Sequence, residues 1–378
     1  MIQRSADLPW LQASFESLID RFSQGRLPHA LLLEGRSGIG EHEFADLLAQ
    51  RLVCSEAGGR FDPCGHCKQC ELVGAGFHPD IRTYRPEDSR YIKVDQVRSL
   101  GEFAVASPQV AKRKVIIVDS ADQLNINAAN ALLKTLEEPN ADVTLVMLLE
   151  AGKPLLPTLR SRCQSLNLPT PELEVATEWL LQALARQRDE SDGDAAKKPD
   201  NINADGKGAT KKSADKRTAE DKNAKGESPI DIHVVSKALQ LAGGAPMAAK
   251  SYIQSDFVSA TDACLDAFRQ FLKSKVALEV ASRAFLAIGL ESSLGVMERW
   301  ASDMARLSAG APANNENAAD VLGFLATNNH PLAAHGLVEK IREARSGLTY
   351  NVNPELEVER LLLAWLDLMP KRRRGKVA

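Results

Sequence analysis

A short apolar strand followed at once by a glycine-rich turn and a helix constrains this chain more than any other feature. Ala30-Leu31-Leu32-Leu33 reads as a buried strand, Gly35-Arg36-Ser37-Gly38-Ile39-Gly40 as the turn, and Glu41 to Leu48 has helical apolar spacing. That order is a phosphate-binding layout, in which glycines let backbone N–H groups close on an anion at a helix start. The pattern calls for Lys and then Ser or Thr directly after the last glycine, and Glu41 and His42 stand there instead. A carboxylate at this point repels β- and γ-phosphates, and no hydroxyl is left to take Mg²⁺. The loop has the shape of an ATP site and the wrong charge.

The residues around the loop extend the same α/β pattern. Residues 1–29 read as an N-terminal helix with Trp10, Phe15, Leu18 and Phe22 at helical spacing. His78-Pro79-Asp80 opens a second strand, Ile81 to Tyr84, and a helix begins over Tyr91 to Val97, its apolar face continued by Leu100 and Phe103. Val115-Ile116-Ile117-Val118 is a β-branched run suited to a central parallel strand. It ends in Asp119, the usual place for the acid that holds Mg²⁺, but the water-activating Glu expected next is Ser120. Asn125 to Glu138 reads as a helix stopped by Pro139, and Thr144 to Leu149 as a further strand. Pro157 to Cys163 then reads as a loop closing this domain. Alternating strands and helices predict an α/β domain with a parallel sheet.

Six cysteines are present, four of them within seventeen residues: Cys54, Cys64, Cys67 and Cys70. The first twenty residues, with Arg4, Asp7, Glu16 and Asp20, do not make a signal peptide, so the reading is cytoplasmic. In that setting clustered thiols argue for a metal before a disulfide, with free reduced cysteines as the alternative. Four thiolates can surround Zn²⁺ tetrahedrally and leave no position open to water, so the zinc is read as structural. Gly65 eases the bend, and His66 is expected to point outward.

Beyond Glu172 the chain reads as helical to Arg188. Residues 189–227 then hold 9 basic and 10 acidic side chains among 39 residues, with Ile202 the one sizeable aliphatic. Such a segment cannot bury enough apolar surface to offset its ordering entropy and is read as a disordered insertion. Helical patterning resumes at Ile232 and dominates from Phe257 onward, before a basic tail over Lys371 to Lys376. The net charge of −3 supplies no global field toward nucleic acid.

The glycine loop, the cysteine cluster, the Val115–Asp119 strand, the Ala128–Pro139 helix (Ala-Asn-Ala-Leu-Leu-Lys-Thr-Leu-Glu-Glu-Pro from Ala129) and Ser161-Arg162-Cys163 occur here in one order. Together they resemble the bacterial clamp-loader family within the AAA+ ATPases, densely over residues 10–170 and more loosely beyond. The resemblance implies a ring of subunits that loads the sliding clamp of DNA polymerase III onto primer-template DNA. In that family gamma/tau subunits hydrolyse ATP, and other members lack a working site. This chain matches the second kind: Glu41, His42 and Ser120 replace the expected groups, and Met247 stands where active relatives place an arginine that reaches the nucleotide.

By the same resemblance Arg162 is an arginine finger offered to the ATP site of a neighbouring gamma/tau subunit, flanked by Ser161 and Cys163. A guanidinium is always charged and bridges phosphate oxygens bidentately. The alternative is an intramolecular salt bridge, with Glu150 as a partner, and Arg160 competes for the role. Cys163 reads as a small buried residue. The expected organisation is an AAA+ α/β domain over residues 1–168 with the zinc module at 54–70, a helical lid over 169–255, a helical collar over 256–370, and the tail 371–378. The delta subunit is the other expected neighbour, and no productive ATP binding is expected. An active gamma-like ATPase and a zinc-dependent nucleic-acid-binding module are the rival readings.

Overall fold

The computed structural model describes residues 4–87, 89–195, 231–348 and 352–370. Its first part is built on one sheet of five strands, β1 (Ala30–Gly35), β2 (Ile81–Tyr84), β3 (Lys114–Val118), β4 (Val143–Glu150) and β5 (Gln164–Asn167). They lie in the order β2-β3-β4-β1-β5, and every pairing is parallel. Parallel neighbours need crossovers, and helices supply them. Helix α1 (Gln12–Ser23) precedes β1; α2 (Glu41–Val53) and α3 (Lys68–Gly74) follow it; α4 (Val94–Val105), α5 (Ile126–Glu137) and α6 (Pro157–Arg160) join the later strands in turn.

The two-residue alternation of a strand sends side chains to two cores. Leu31 and Leu33 of β1 join Phe15, Phe44 and Leu48 from α1 and α2. Leu32, between them, joins Leu100 and Leu132 from α4 and α5. With both faces covered, the inner strands are continuous apolar runs, which is why they are legible as strands. Strand β5 falls just past the stretch read as a loop. Its Gln164-Ser165-Leu166-Asn167 sequence carries little apolar signal, and it is an edge strand held by one ladder to β1. Helix α5 begins where the sequence suggests, because the Asn125 side chain accepts from the Ala128 N–H at 2.8 Å.

The chain runs from β1 out to the β2 edge, returns through β3 and β4, and then crosses β1 to reach β5. The carboxyl ends of β1, β3 and β4 therefore gather the glycine loop, Asp119 and Glu150 at one rim, where ligands of open α/β sheets bind.

Helices α7 (Leu173–Ala195), α8 (Ile232–Leu241) and α9 (Pro246–Gln254) extend the α1/α2 core through Leu180, Val235, Leu239 and Ala249. Helix α7 continues to Ala195, so the charged segment expected at 189–227 starts within a helix. Its remainder from 196, and the basic tail 371–378, lie outside the described residues.

A separate core belongs to α10 (Phe257–Leu272), α11 (Leu278–Ala287), α12 (Leu290–Ser308), α13 (Ala319–Asn328), α14 (Leu332–Gly347) and α15 (Pro354–Leu366). At its centre the Trp300 ring lies 4.9 Å from Phe268 and 5.9 Å from Phe285, and Phe268 lies 5.3 Å from Trp365. Among the described residues no single helix is long and apolar enough to cross a membrane.

One buried charge organises the α4–β3 connection. The Asp80 carboxylate, fully buried, accepts from the backbone N–H of Gln109 at 2.7 Å and of Val110 and Ala111 at 2.8 Å. Burial alone would raise the Asp80 carboxyl, but these three donors hold it below the ordinary carboxylate range.

Two outcomes follow from this packing. Trp300→Ala should cost about 3–5 kcal/mol by opening a cavity beside the Phe268 and Phe285 rings, read as earlier urea unfolding of the C-terminal helices; a cost under about 1 kcal/mol contradicts the assignment. Because the folded Asp80 binds its proton less readily than the unfolded chain, its contribution is complete above about pH 4 and fades as pH falls through the lower native value. Asp80→Asn should lose about 1–3 kcal/mol at pH 7 and flatten the acid limb of the stability profile; a variant as stable as the parent at pH 7 contradicts this.

Candidate functional site

The glycine loop leaves β1 at Gly35 and enters α2 at Glu41. Gly38 and Gly40 hold φ of +82° and +99°, conformations that L side chains rarely adopt, and this turns their N–H groups inward. What meets those N–H groups is the chain's own carboxylate. Glu41 accepts from Gly38 N–H at 2.9 Å through Oε1 and 3.1 Å through Oε2, and from Gly40 N–H at 3.1 Å through Oε2. Its residue is 9% exposed, so solvent competes little for these bonds. The sequence suggests a carboxylate that repels phosphate; the structure adds that it is bonded to the donors phosphate would use.

The other replaced positions gather around it. The His42 ring stands 3.6 Å from Glu41 Oε1 and 3.5 Å from Asp119 Oδ1. Ser120 directs its hydroxyl to Asp119 Oδ1 at 3.2 Å, from a backbone φ of +64° that is costly for a residue with a Cβ. Met247 packs as a partly buried apolar side chain. Its N–H and that of Ala248, at the start of α9, donate to the Gly38 carbonyl at 2.9 and 3.2 Å. A cleft of about 990 Å³ lies over the loop, running from Ser37, Glu41 and Asp119 to Arg342 and Arg345 of α14.

The Ser161-Arg162-Cys163 segment follows the single turn of α6, which the sequence does not announce. Arg160 makes a bidentate contact with Glu34 of β1, at 2.8 and 3.2 Å, and is thereby committed within its own domain. Arg162 donates to the Thr158 carbonyl at 2.9 Å and pairs with Glu137 at 2.6 Å, its side chain 36% exposed. Glu150, the partner named from sequence, pairs with Lys153 at 3.6 Å. Glu34 and Glu137 carry no motif, and only the fold reveals them as the arginines' partners. Ser161 donates its hydroxyl to the Thr158 carbonyl at 3.2 Å. Cys163 is half-buried, and burial pushes its thiol up to about 11, which makes it inert.

The four clustered cysteines converge. Cys54 ends α2, Cys64 lies in the loop, Cys67 caps α3 and Cys70 sits in its first turn. Their sulfurs all lie within 4.8 Å of one another, with Cys54–Cys67 and Cys64–Cys70 each at 3.9 Å. Metal–sulfur bonds of about 2.3 Å around a tetrahedral centre put sulfurs about 3.8 Å apart, so the four thiols fit a metal ion. Backbone N–H groups of Cys64 and Cys67 point at the sulfurs of Cys54 and Cys64, at 3.4 and 3.3 Å. Burial raises Cys70 to about 12; at Cys67 burial is outweighed by hydrogen bonds from Ser55 and the Cys70 backbone, which bring it down to about 5. His66 is exposed and turned toward Glu56, 3.5 Å away. The module is tied to the sheet by Gln69, which takes His78 Nε2 at 2.8 Å and donates to the Val110 carbonyl at 2.9 Å.

Residues 10–172 match the family model described as "DNA polymerase III, delta subunit". That span holds the glycine loop, the cysteine cluster, Asp119 and Arg162. The chain is similar to the DNA polymerase III subunit delta' of Pseudomonas aeruginosa, 42% identical over 177 residues that cover 47% of this chain and 53% of the relative. It is also similar to the delta' subunit of Escherichia coli, 38% identical over 182 residues, covering 48% and 54%. The chain spans about half the length of these curated relatives. Among solved structures, a DNA polymerase III gamma subunit-related protein from Thermotoga maritima aligns over 93% of this chain and 98% of its own, at 14% identity and a TM-score of 0.41.

The cysteine geometry predicts that the protein takes up one equivalent of Co²⁺ with the absorption of a tetrahedral thiolate site, and that chelation lowers its Tm. Cys67→Ala should abolish that spectrum. A full spectrum in the variant would rule out the four-thiol site.

Proposed function

We propose, on the premise of the match over residues 10–172, that the chain is a delta-prime-type subunit of the bacterial DNA polymerase III clamp loader. In this reading it is a stator. It hydrolyses no ATP, abuts a gamma/tau subunit on one side and delta on the other, and helps load the sliding clamp onto primer-template DNA in the cytoplasm during replication. The observation that carries the ATP-silent part is the Glu41 carboxylate bonded to the loop N–H groups. The metal held by Cys54, Cys64, Cys67 and Cys70 is zinc, structural because four thiolates complete its coordination. The α/β unit runs to about residue 168, the lid to about 255, and the collar over the helices beyond.

Arg162 is the finger given to gamma/tau. Arg160 is engaged by Glu34 through both of its terminal nitrogens, whereas Arg162 is held by the Thr158 carbonyl and one exposed carboxylate, the latter a weak surface pairing of about 0–1 kcal/mol. A γ-phosphate with its developing charge is the stronger partner, and a trans arginine accelerates its transfer by about 10³–10⁵.

The test mixes Arg162→Ala with gamma/tau and delta subunits. DNA-stimulated hydrolysis at the neighbouring site should fall by about 10³ or more, with the complex still assembled. Unchanged ATPase in an intact complex removes the finger assignment. Micromolar ATP binding by the isolated chain removes the stator reading.

A further inference from the structure

We propose that the Glu41 carboxylate is the permanent anion of the glycine loop: a tethered replacement for phosphate that keeps free phosphates out and holds α9 against the loop. The inference rests on the ATP-silent reading above and goes beyond it, because a loop can lack its lysine and still admit a phosphate. Inward-turned N–H groups at a helix start form a concavity that favours negative charge. Here two such groups, of Gly38 and Gly40, are both answered by one carboxylate, with three contacts of 2.9 to 3.1 Å. An anion on the same short loop has an effective concentration that millimolar free phosphate does not match.

The loop is also engaged from its other side. The Gly38 peptide donates its N–H to Glu41, and the Gly38 carbonyl accepts from Met247 and Ala248 at the start of α9. The approach is close enough that a Cβ on Gly38 would stand 2.5 Å from the Ala248 Cβ. One glycine thus joins the carboxylate to the lid helix, and the loop shape that Glu41 maintains is the shape α9 docks on.

The test uses the full chain as wild type, Glu41→Ala and Glu41→Gln, with inorganic pyrophosphate as probe. Calorimetry should detect no pyrophosphate binding to the wild type at millimolar concentration and binding at least about tenfold tighter to Glu41→Ala, the equivalent of one net charge-assisted hydrogen bond. Amide exchange over 36–42 and 246–249 should rise about tenfold in that variant and return toward the wild-type rate when pyrophosphate is added. Glu41→Gln keeps the side-chain length and one acceptor oxygen, should fall between the two, and carries the test if Glu41→Ala fails to fold. Variants that ignore pyrophosphate and exchange at the wild-type rate in both segments overturn the tethered anion while leaving the stator reading intact. Micromolar ATP binding by the wild type overturns both.

Discussion

A negative charge meeting the N–H groups of Gly38 and Gly40 is the contact that fixes the glycine loop at the start of α2. Inward-facing backbone donors at the start of a helix cannot be left unmet when buried, since each orphaned group costs about 1–3 kcal/mol. A nucleotide ordinarily meets them. In this chain Glu41 does, and it does so from the position where a lysine would otherwise stand. The substitution is therefore more than the loss of a cation. It satisfies the loop's donors internally and leaves the loop in the form on which α9 packs.

Two arginines two residues apart show how local partners separate structural from available charge. Arg160 reaches back to Glu34, on the strand that feeds the glycine loop, and makes two parallel bonds to a largely buried carboxylate. That geometry joins β1 to the turn after β4 and uses both terminal nitrogens of the guanidinium. Arg162 rests on a carbonyl and on Glu137, at the end of α5, where solvent screens the pair. The two side chains are about equally exposed, at 40% and 36%; what separates them is the partner, largely buried for Arg160 and exposed for Arg162.

The cysteine module follows the same economy of contacts. Two-residue gaps and Gly65 bring three of the sulfurs together, the nine-residue loop from the end of α2 supplies the fourth, and Gln69, next to Cys70, bridges to His78 and to the Val110 carbonyl. The Val110 N–H is in turn held by Asp80. A metal-sized cluster at the surface is thus anchored to the β2–β3 edge of the sheet through side chains that are neither thiols nor part of any metal motif.

The inner strands, the glycine loop, the cysteine cluster and α5 were legible in the sequence because each rests on local rules: apolar runs for strands buried on both faces, turn glycines, ligand spacing and an Asn cap. The edge strand β5 and the single turn α6 were not, because short polar segments take their form from the neighbour they pair with. The sequence by itself determined that the glycine loop carries a carboxylate where the phosphate-binding pattern has a lysine, since residue identity settles charge. Only the tertiary structure decided that this carboxylate turns into the loop, that Arg160 belongs to Glu34 and Arg162 to Glu137, and that α9 rests on Gly38. Those contacts join residues up to 210 positions apart, where the Gly38 carbonyl accepts from the Ala248 N–H, and chain-distant pairing is set by how layers pack, which no local pattern encodes.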